Sequence, residues 1–249
     1  MAIHTFAYTS SVGSVTNSQI NAITDNIFLT QNNHVVPPKD CYLLAAAAIG
    51  STLTTCRFYS PTIRQVGLSH IRPIMQSSAP STVPQLATYC NDPLLLRGLE
   101  EIQVDVSDTS GSSDQVYAVF IVSDGIRPVP QGPVIRIRLT GTTTMVSNTW
   151  SSCGLTADDI LPAGQYELLN LTFISTGAIV ARAIVDNQLF RPGTLGVPSL
   201  AFAEHVSFSN RWFGSMGQFR NTSLPRVEAV SKSNDTTQTV FMDIVKTGA

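Results

Sequence analysis

The chain contains two similar copies of one segment, arranged in tandem. The sequence VVPPKDCYLLAAAAIGSTLTTCRF, which begins at Val35, resembles DILPAGQYELLNLTFISTGAIVARA, which begins at Asp159. In the same way VDVSDTSGSSDQVYAVFIVSDG, from Val104, resembles VEAVSKSNDTTQTVFMDIVKTG, from Val227. The order of these blocks and their nearly constant separation favour duplication over chance similarity.

Three pairs of residues are predicted to occupy equivalent structural positions in the two copies. The pairs are Tyr42 with Tyr166, Tyr89 with Trp212, and Arg97 with Arg220. We expect each aromatic residue to anchor the core of its own copy, because large rings contribute most of their free energy when buried. The two arginines are expected to make a repeated structural contact that either caps loop carbonyls or bridges subunits.

The hydrophobic pattern within each copy is typical of β-strands. VIRIRLTG from Val134 alternates apolar and basic residues, which places Arg136 and Arg138 on one solvated face. TFAYTSS near the N-terminus is its expected counterpart. Further strands are predicted at Tyr42–Ile49, Ser51–Phe58, Ile102–Val106, Val116–Val122, Tyr166–Ile174, Ala178–Val185, Arg226–Val230 and Thr239–Val245. For Ser81–Leu99 and Ser199–Trp212, a short helix and a long connection both remain open.

The sequence therefore predicts an all-β protein with two tandem β-sandwich domains of the jelly-roll type, related by internal duplication. The boundary is placed in DGIRPVPQGP, residues 124–133, where three prolines and two glycines interrupt the apolar pattern. The first domain is predicted to span residues 1–125 and the second 126–249. An immunoglobulin-like sandwich is the structural alternative, but no Cys…Trp…Cys spacing favours it.

The composition favours assembly over catalysis or nucleic-acid binding. Only 13% of the 249 residues are charged, against roughly 25% in typical soluble domains. A surface built from uncharged polar side chains loses little hydration energy when it is buried against neighbours. The net charge is −2, and the first fifteen residues, MAIHTFAYTSSVGSV, contain no lysine or arginine. Sequence-specific nucleic-acid binding is therefore not expected.

No set of catalytic or cofactor-binding residues is recognisable. His4, His34, His70 and His205 are isolated, so the chain lacks the histidine cluster that a cupin enzyme needs. Asp108-Thr109-Ser110-Gly111 misses the spacing of an aspartic-protease motif, and its counterpart begins with Ser231. Cys41, Cys56, Cys90 and Cys153 lack metal-site spacing and are predicted to be small buried hydrophobic residues. We therefore expect no catalytic activity, no metal and no cofactor.

Aromatic residues provide one alternative function. Tyr89, Trp150, Trp212 and Phe213 could form a stacking platform for a glycan, as in a lectin or a viral spike or fibre module. Packing of these rings within each core is the competing interpretation, because Tyr89 and Trp212 are predicted repeat equivalents.

Two tandem β-rich copies, low charge, no basic N-terminal arm and no catalytic set together make the chain resemble a known family. It resembles the double jelly-roll major capsid proteins of tailless icosahedral viruses, phages with internal membranes among them. The resemblance is architectural and covers nearly the whole chain. At its length this chain would be a small member with short loops between strands.

The resemblance implies a self-assembling structural protein located in the virion and assembled in the host cytoplasm. The expected unit is a homotrimer whose six jelly rolls form a pseudo-hexagonal capsomer of an icosahedral shell. Its implied partners are further copies of the chain, minor capsid or penton proteins and, in membrane-containing members, the internal membrane.

Overall fold

The residues that the structure describes form two successive β-sandwich units with one short helix, which confirms the predicted fold class. The computed structural model describes residues 2–24, 28–65, 76–77, 87–89, 94–125, 128, 130–185, 188–198 and 214–248. One compact unit comprises Phe6–Asp124, and the other comprises Gly125–Ala249 together with Met1–Thr5. The predicted first domain included residues 1–5, whereas the structure groups them with the C-terminal unit. We refer to Phe6–Asp124 as the first copy and to the other unit as the second copy.

The described strands between Ile3 and Ser123, which we call the first half of the chain, are joined into one ten-stranded sheet. They are β1 (Ile3–Val12), β2 (Val15–Ala22), β3 (His34–Val35), β4 (Cys41–Ile49), β5 (Leu53–Tyr59), β6 (Gln76–Ser77), β7 (Ala87–Thr88), β8 (Leu94–Leu96), β9 (Glu101–Asp108) and β10 (Asp114–Ser123). One short helix, α1 (Pro61–Gln65), follows β5.

The strands of the second half are joined into a nine-stranded sheet. They are β11 (Val134–Gly141), β12 (Ser151–Cys153), β13 (Leu155–Ala157), β14 (Gln165–Ile174), β15 (Ala178–Ile184), β16 (Gly193–Val197), β17 (Gly217–Arg220), β18 (Arg226–Ser231) and β19 (Gln238–Gly248). Ser199–Trp212, for which the sequence allows a short helix or a long connection, lies outside the described residues. The described parts of Ser81–Leu99 contain the short strands β7 and β8.

The strand order in each half is that of a jelly roll. In the first half, β1, β10, β4 and β8 form one layer, and β2, β9 and β5 form the other. The pairing of β1 with β2 connects the two layers, so they count as one continuous sheet. In the second half, the corresponding layers are β11, β19, β14 and β17, and β12, β18, β15 and β16. Apart from β15 and β16, neighbouring strands within a layer are therefore distant in sequence, as Greek-key connections require.

Strands β5 and β9 pair in the same register as β15 and β18. Both pairs skip one residue at the same position, between Leu53 and Thr55 in the first copy and between Ala178 and Val180 in the second. Beyond this irregularity the two ladders continue in step. The matched pairs are Cys56 with Val106, Arg57 with Asp105 and Phe58 with Val104 in the first copy, and Ala181 with Ala229, Arg182 with Glu228 and Ala183 with Val227 in the second.

The ladder between β4 and β10 is likewise repeated between β14 and β19. The pairing register shifts by one residue at Leu44 in the first copy and at Leu169 in the second. The matched pairs on either side are Ala45 with Ile121 and Leu43 with Val122, then Asn170 with Asp243 and Leu168 with Ile244. Because β-bulges are positioned features of a sheet, the shared bulge shows that both copies follow one structural plan.

The core of the first copy lies between its two layers. Phe120 of β10 packs against Tyr8 of β1 at a ring-centroid distance of 5.7 Å and against Phe58 of β5 at 5.0 Å. Phe58 belongs to the opposite layer, so these rings join the two sheets. The residues of β4 from Leu43 to Ile49 are all buried, which explains their continuous apolar sequence.

Candidate functional site

Tyr42 and Tyr166, predicted as equivalents, lie on opposite faces of their strands. Tyr166 is fully buried and stacks on Phe219, whereas Tyr42 is 39% exposed. Strand pairing explains the difference. In the first copy Cys41 lies opposite Leu96, and at the equivalent point of the second copy Tyr166 lies opposite Phe219. The pairing therefore aligns Tyr166 with Cys41. A shift of one residue along a strand moves each side chain to the other face of the sheet.

Tyr89 lies in the core of the first copy. It is 8% exposed, and its backbone NH donates a hydrogen bond to the carbonyl of Leu44 at 2.7 Å. Its ring is therefore not presented on a ligand platform. Trp212 and Phe213 lie outside the described residues. Trp150, the other member of the aromatic set, packs over the guanidinium of Arg182, with 3.9 Å between Cζ and the ring centroid.

Arg97 and Arg220 occupy matched positions directly after paired core residues. Arg97 follows Leu96, which pairs with Cys41, and Arg220 follows Phe219, which pairs with Tyr166. The exposed Arg97 side chain forms an ion pair with Asp40, with 2.5 Å between Nη1 and Oδ2. A hydrogen bond from the Gly98 NH and this arginine keep the pKa of Asp40 below its usual value. Arg97 thus binds a carboxylate rather than capping loop carbonyls.

An arginine faces a carboxylate at the same point of both copies. In the second copy, Arg182 Nη2 lies 2.8 Å from Glu228 Oε2, and the Arg182 side chain is almost fully buried. In the first copy, Arg57 is the strand partner of Asp105. Burial raises the pKa of Asp105, and Arg57 partly opposes that effect. The repetition of this cross-strand pair identifies it as part of the shared framework.

Beside Asp105 the first copy has a polar cleft, lined by Asn33, Tyr59, Ser60, Pro61, Glu101 and Gln103. Its volume is about 360 Å³. Alternation along β9 produces one wall, because Ile102 and Val104 enter the core while Glu101 and Gln103 face outward. Sequence inspection identified the β9 strand but did not identify this face as a site. The polar residues at every second position were the available signal.

The side chains of this polar cleft are connected by hydrogen bonds. Gln103 Nε2 donates to the Tyr59 hydroxyl at 2.9 Å and to Asp105 Oδ1 at 3.0 Å. The Tyr59 hydroxyl donates to Asp105 Oδ2. Further along β9, Glu101 Oε2 accepts a hydrogen bond from Asn33 Nδ2 at 3.2 Å. These bonds fix the orientation of the planar side chains before any ligand arrives.

Strand β3 holds Asn33 at the edge of the cleft. His34 and Val35 of β3 pair with Ile102 and Glu101 of β9. The buried Tyr8 hydroxyl reinforces this pairing, since it donates to the Ile102 carbonyl at 2.7 Å and accepts from the His34 NH at 3.1 Å. The wall that carries Asn33 is therefore fixed to the core.

Comparison with solved structures finds a likeness to a viral coat protein. The chain is similar to the major capsid protein P2 from bacteriophage PM2, with a TM-score of 0.26 and 9% sequence identity over 98% of this chain and 97% of that one. No family model matches the sequence, and no curated protein matches it.

The described part of the chain contains no group of three or more histidine, cysteine, aspartate or glutamate side chains placed to hold a metal ion. Among the described residues, no helix has the length and apolar character needed to cross a bilayer. Cys41, Cys56 and Cys153 are buried free thiols. Cys90 lies outside the described residues.

These three thiols are expected to resist alkylation in the native protein. Burial raises the pKa of Cys41 and of Cys153 to about 12, and it also raises the pKa of Cys56. Since the thiolate is the reactive form, iodoacetamide at mildly alkaline pH should leave all three unmodified until denaturant is added. Mass spectrometry of tryptic peptides measures each site separately. Rapid native modification of any of the three would contradict the described burial.

Proposed function

We propose that the chain is a non-catalytic structural protein, the major coat protein of an icosahedral viral shell. The observation that carries this proposal is the repetition of one jelly roll, with matched strand registers and matched bulges, within a single chain. Two such units give one chain two similar sets of edges and loops. Neighbouring molecules can then meet through nearly equivalent contacts.

The low charge of the chain favours this role. At 13% charged residues, much of the surface must be formed by uncharged polar side chains, which can be buried between subunits at small cost in hydration energy. In the proposed assembly, three chains form a pseudo-hexagonal trimer that tiles the shell. Minor capsid or penton proteins and, where one is present, an internal membrane would be its other partners. The proposed location is the virion, with assembly in the host cytoplasm.

The purified full-length chain is expected to form a stable trimer. Sedimentation velocity at micromolar concentration should give the mass of three 26.8-kDa chains, and negative-stain images should show particles of hexagonal outline. We expect each seam to bury well over about 2,000 Å², the range of obligate interfaces. Few charges are available at the seams, so the trimer should persist from low to high salt. A monodisperse, folded monomer under these conditions would rule out the proposed assembly.

A tandem lectin or receptor-binding module is the alternative function. The polar cleft of the first copy favours it, because the cleft combines an aromatic ring with several planar hydrogen-bonding groups. The aromatic platform predicted from the sequence does not support this alternative, because Tyr89 is buried in the core and Trp150 packs on Arg182. A glycan-binding assay and the sedimentation experiment test the two functions independently.

A further inference from the structure

The polar cleft has the mixture of groups that recognises a sugar ring. Tyr59 contributes a partly exposed aromatic ring, against which the C–H face of a pyranose can pack. Asn33, Glu101 and Gln103 contribute planar amide and carboxylate groups, which donate or accept hydrogen bonds. The volume of about 360 Å³ lies within the range of roughly 300–1,000 Å³ found for small-molecule sites.

The hydrogen-bonding groups of the cleft are already held in place. Both protons of Gln103 Nε2 are used within the protein, by the Tyr59 hydroxyl and Asp105 Oδ1. The amide oxygen of Gln103 therefore remains as an acceptor. The Glu101 carboxylate is exposed and accepts from Asn33 through Oε2. Preorganised acceptors lower the entropic cost of binding a ligand rich in hydroxyl groups.

The second copy retains the framework of this region but not the cleft residues. Arg57 and Asp105 correspond to Arg182 and Glu228, so a cross-strand pair of arginine and carboxylate is common to both copies. The next pair of the ladder, Tyr59 with Gln103, is replaced by Ile184 with Arg226. These substitutions remove the aromatic ring and the amide acceptor together.

The connection that carries Asn33 is also longer in the first copy. Residues 23–40 join β2 to β4 and include β3, whereas residues 158–164 alone join β13 to β14. The first copy thus has an additional wall at the position where its strand residues differ. Requirements of the shared fold do not explain this combination, because the second copy folds without it.

We propose that the polar cleft is a binding site for a neutral saccharide. The exposed carboxylate of Glu101 should repel an anionic sugar, so neutral hexose-containing glycans are expected to bind in preference to sialylated ones. Glu101, Gln103 and Asn33 would bind hydroxyl groups, and Tyr59 would support the apolar face of the ring. This inference does not depend on the coat function, since a shell protein and an isolated module could each present the cleft.

The experiment is a glycan array that carries neutral and sialylated oligosaccharides, probed with the full-length chain. Neutral structures should be retained, and the affinity for the best one should then be measured by titration calorimetry. Tyr59→Ala and Gln103→Ala should each weaken binding by about tenfold, the usual result of losing one good contact. Tyr59→Phe, which keeps the ring, should retain more of the affinity than Tyr59→Ala.

Arg226→Ala is the matched control, because Arg226 occupies the position of Gln103 in the second copy and should leave binding unchanged. Thermal unfolding establishes that each variant is folded, and sedimentation reports its oligomeric state separately. Failure to retain any neutral oligosaccharide would overturn the proposal. So would selective retention of sialylated glycans, or unchanged affinity in folded Tyr59→Ala and Gln103→Ala.

Discussion

Replacement of Phe120 by alanine is expected to lower the free energy of unfolding by about 3–5 kcal/mol, the usual cost of removing a large buried ring. Phe120 is fully buried on β10, and its ring contacts Tyr8 in its own layer and Phe58 in the opposite layer. The substitution would therefore leave a cavity between the two sheets. Relaxation of these rigid strands can fill little of it, because Tyr8 is held by its hydrogen bonds to Ile102 and His34.

Chemical denaturation followed by circular dichroism measures this effect, because both tryptophans, Trp150 and Trp212, belong to the second copy and would not report on the first. Ile160→Ala is a suitable control, because Ile160 is 98% exposed and its truncation should change the stability by less than about 0.5 kcal/mol. Met242→Ala is the matched core variant, because Met242 aligns with Phe120 in the repeated ladder and is also fully buried. A loss below about 1 kcal/mol for Phe120→Ala would contradict the role assigned to this ring.

Replacement of Arg182 by alanine is expected to destabilise the protein by about 2–4 kcal/mol. Removing one member of a buried ion pair costs about 3–5 kcal/mol. We expect a somewhat smaller loss here because the Glu228 side chain is 25% exposed, so water can partly solvate its charge. The variant would also lose the contact between the guanidinium and the Trp150 ring. Glu228 would then lie against the sheet without its arginine.

Arg57→Ala provides the comparison within the same molecule. Asp105 would keep the hydrogen bonds from Gln103 and Tyr59 after the substitution, so its carboxylate would remain partly satisfied. A loss of about 1 kcal/mol is therefore expected, smaller than that for Arg182→Ala. Denaturant midpoints of the two variants, measured side by side, test this order. Equal losses, or a larger loss for Arg57→Ala, would show that the surrounding contacts do not distinguish the two pairs.

The strands were predictable from sequence wherever their pattern reflected burial. The prediction for β11 has the observed bounds, and Tyr166–Ile174 differs from β14 by one residue at its start. The short strands β3, β6, β7, β8, β12 and β13 were not predicted, and neither were β2, β16 and β17. Their residues do not form clear alternating or continuous apolar runs, because Val15–Ala22 is mostly polar and Gly193–Val197 contains two glycines. Tertiary pairing, rather than local pattern, places these segments in the sheets.

The repeat was recognisable from sequence, and the match of Arg97 with Arg220 holds, but the register of β4 against β14 was one residue off. Matching identical residues aligned Tyr42 with Tyr166, whereas the strand pairing aligns Cys41 with Tyr166. Identity alone favours the tyrosine match, and only the neighbouring strand reveals which residue faces the core. The cleft was missed for a related reason. Asn33, Tyr59 and Gln103 come from three separate segments, which pairing with β9 brings together.

The matched ladders and bulges have a consequence for how the chain can change. When the two copies are compared, their lengths differ in the connections. The ladders β4 with β10 and β5 with β9 of the first copy are matched pair by pair in the second. One half can therefore carry a longer connection and a different surface while both halves keep the same ladders. Because both halves belong to one polypeptide, the altered and unaltered forms are always produced in a one-to-one ratio. Separate subunits encoded apart would need regulated expression to achieve the same stoichiometry.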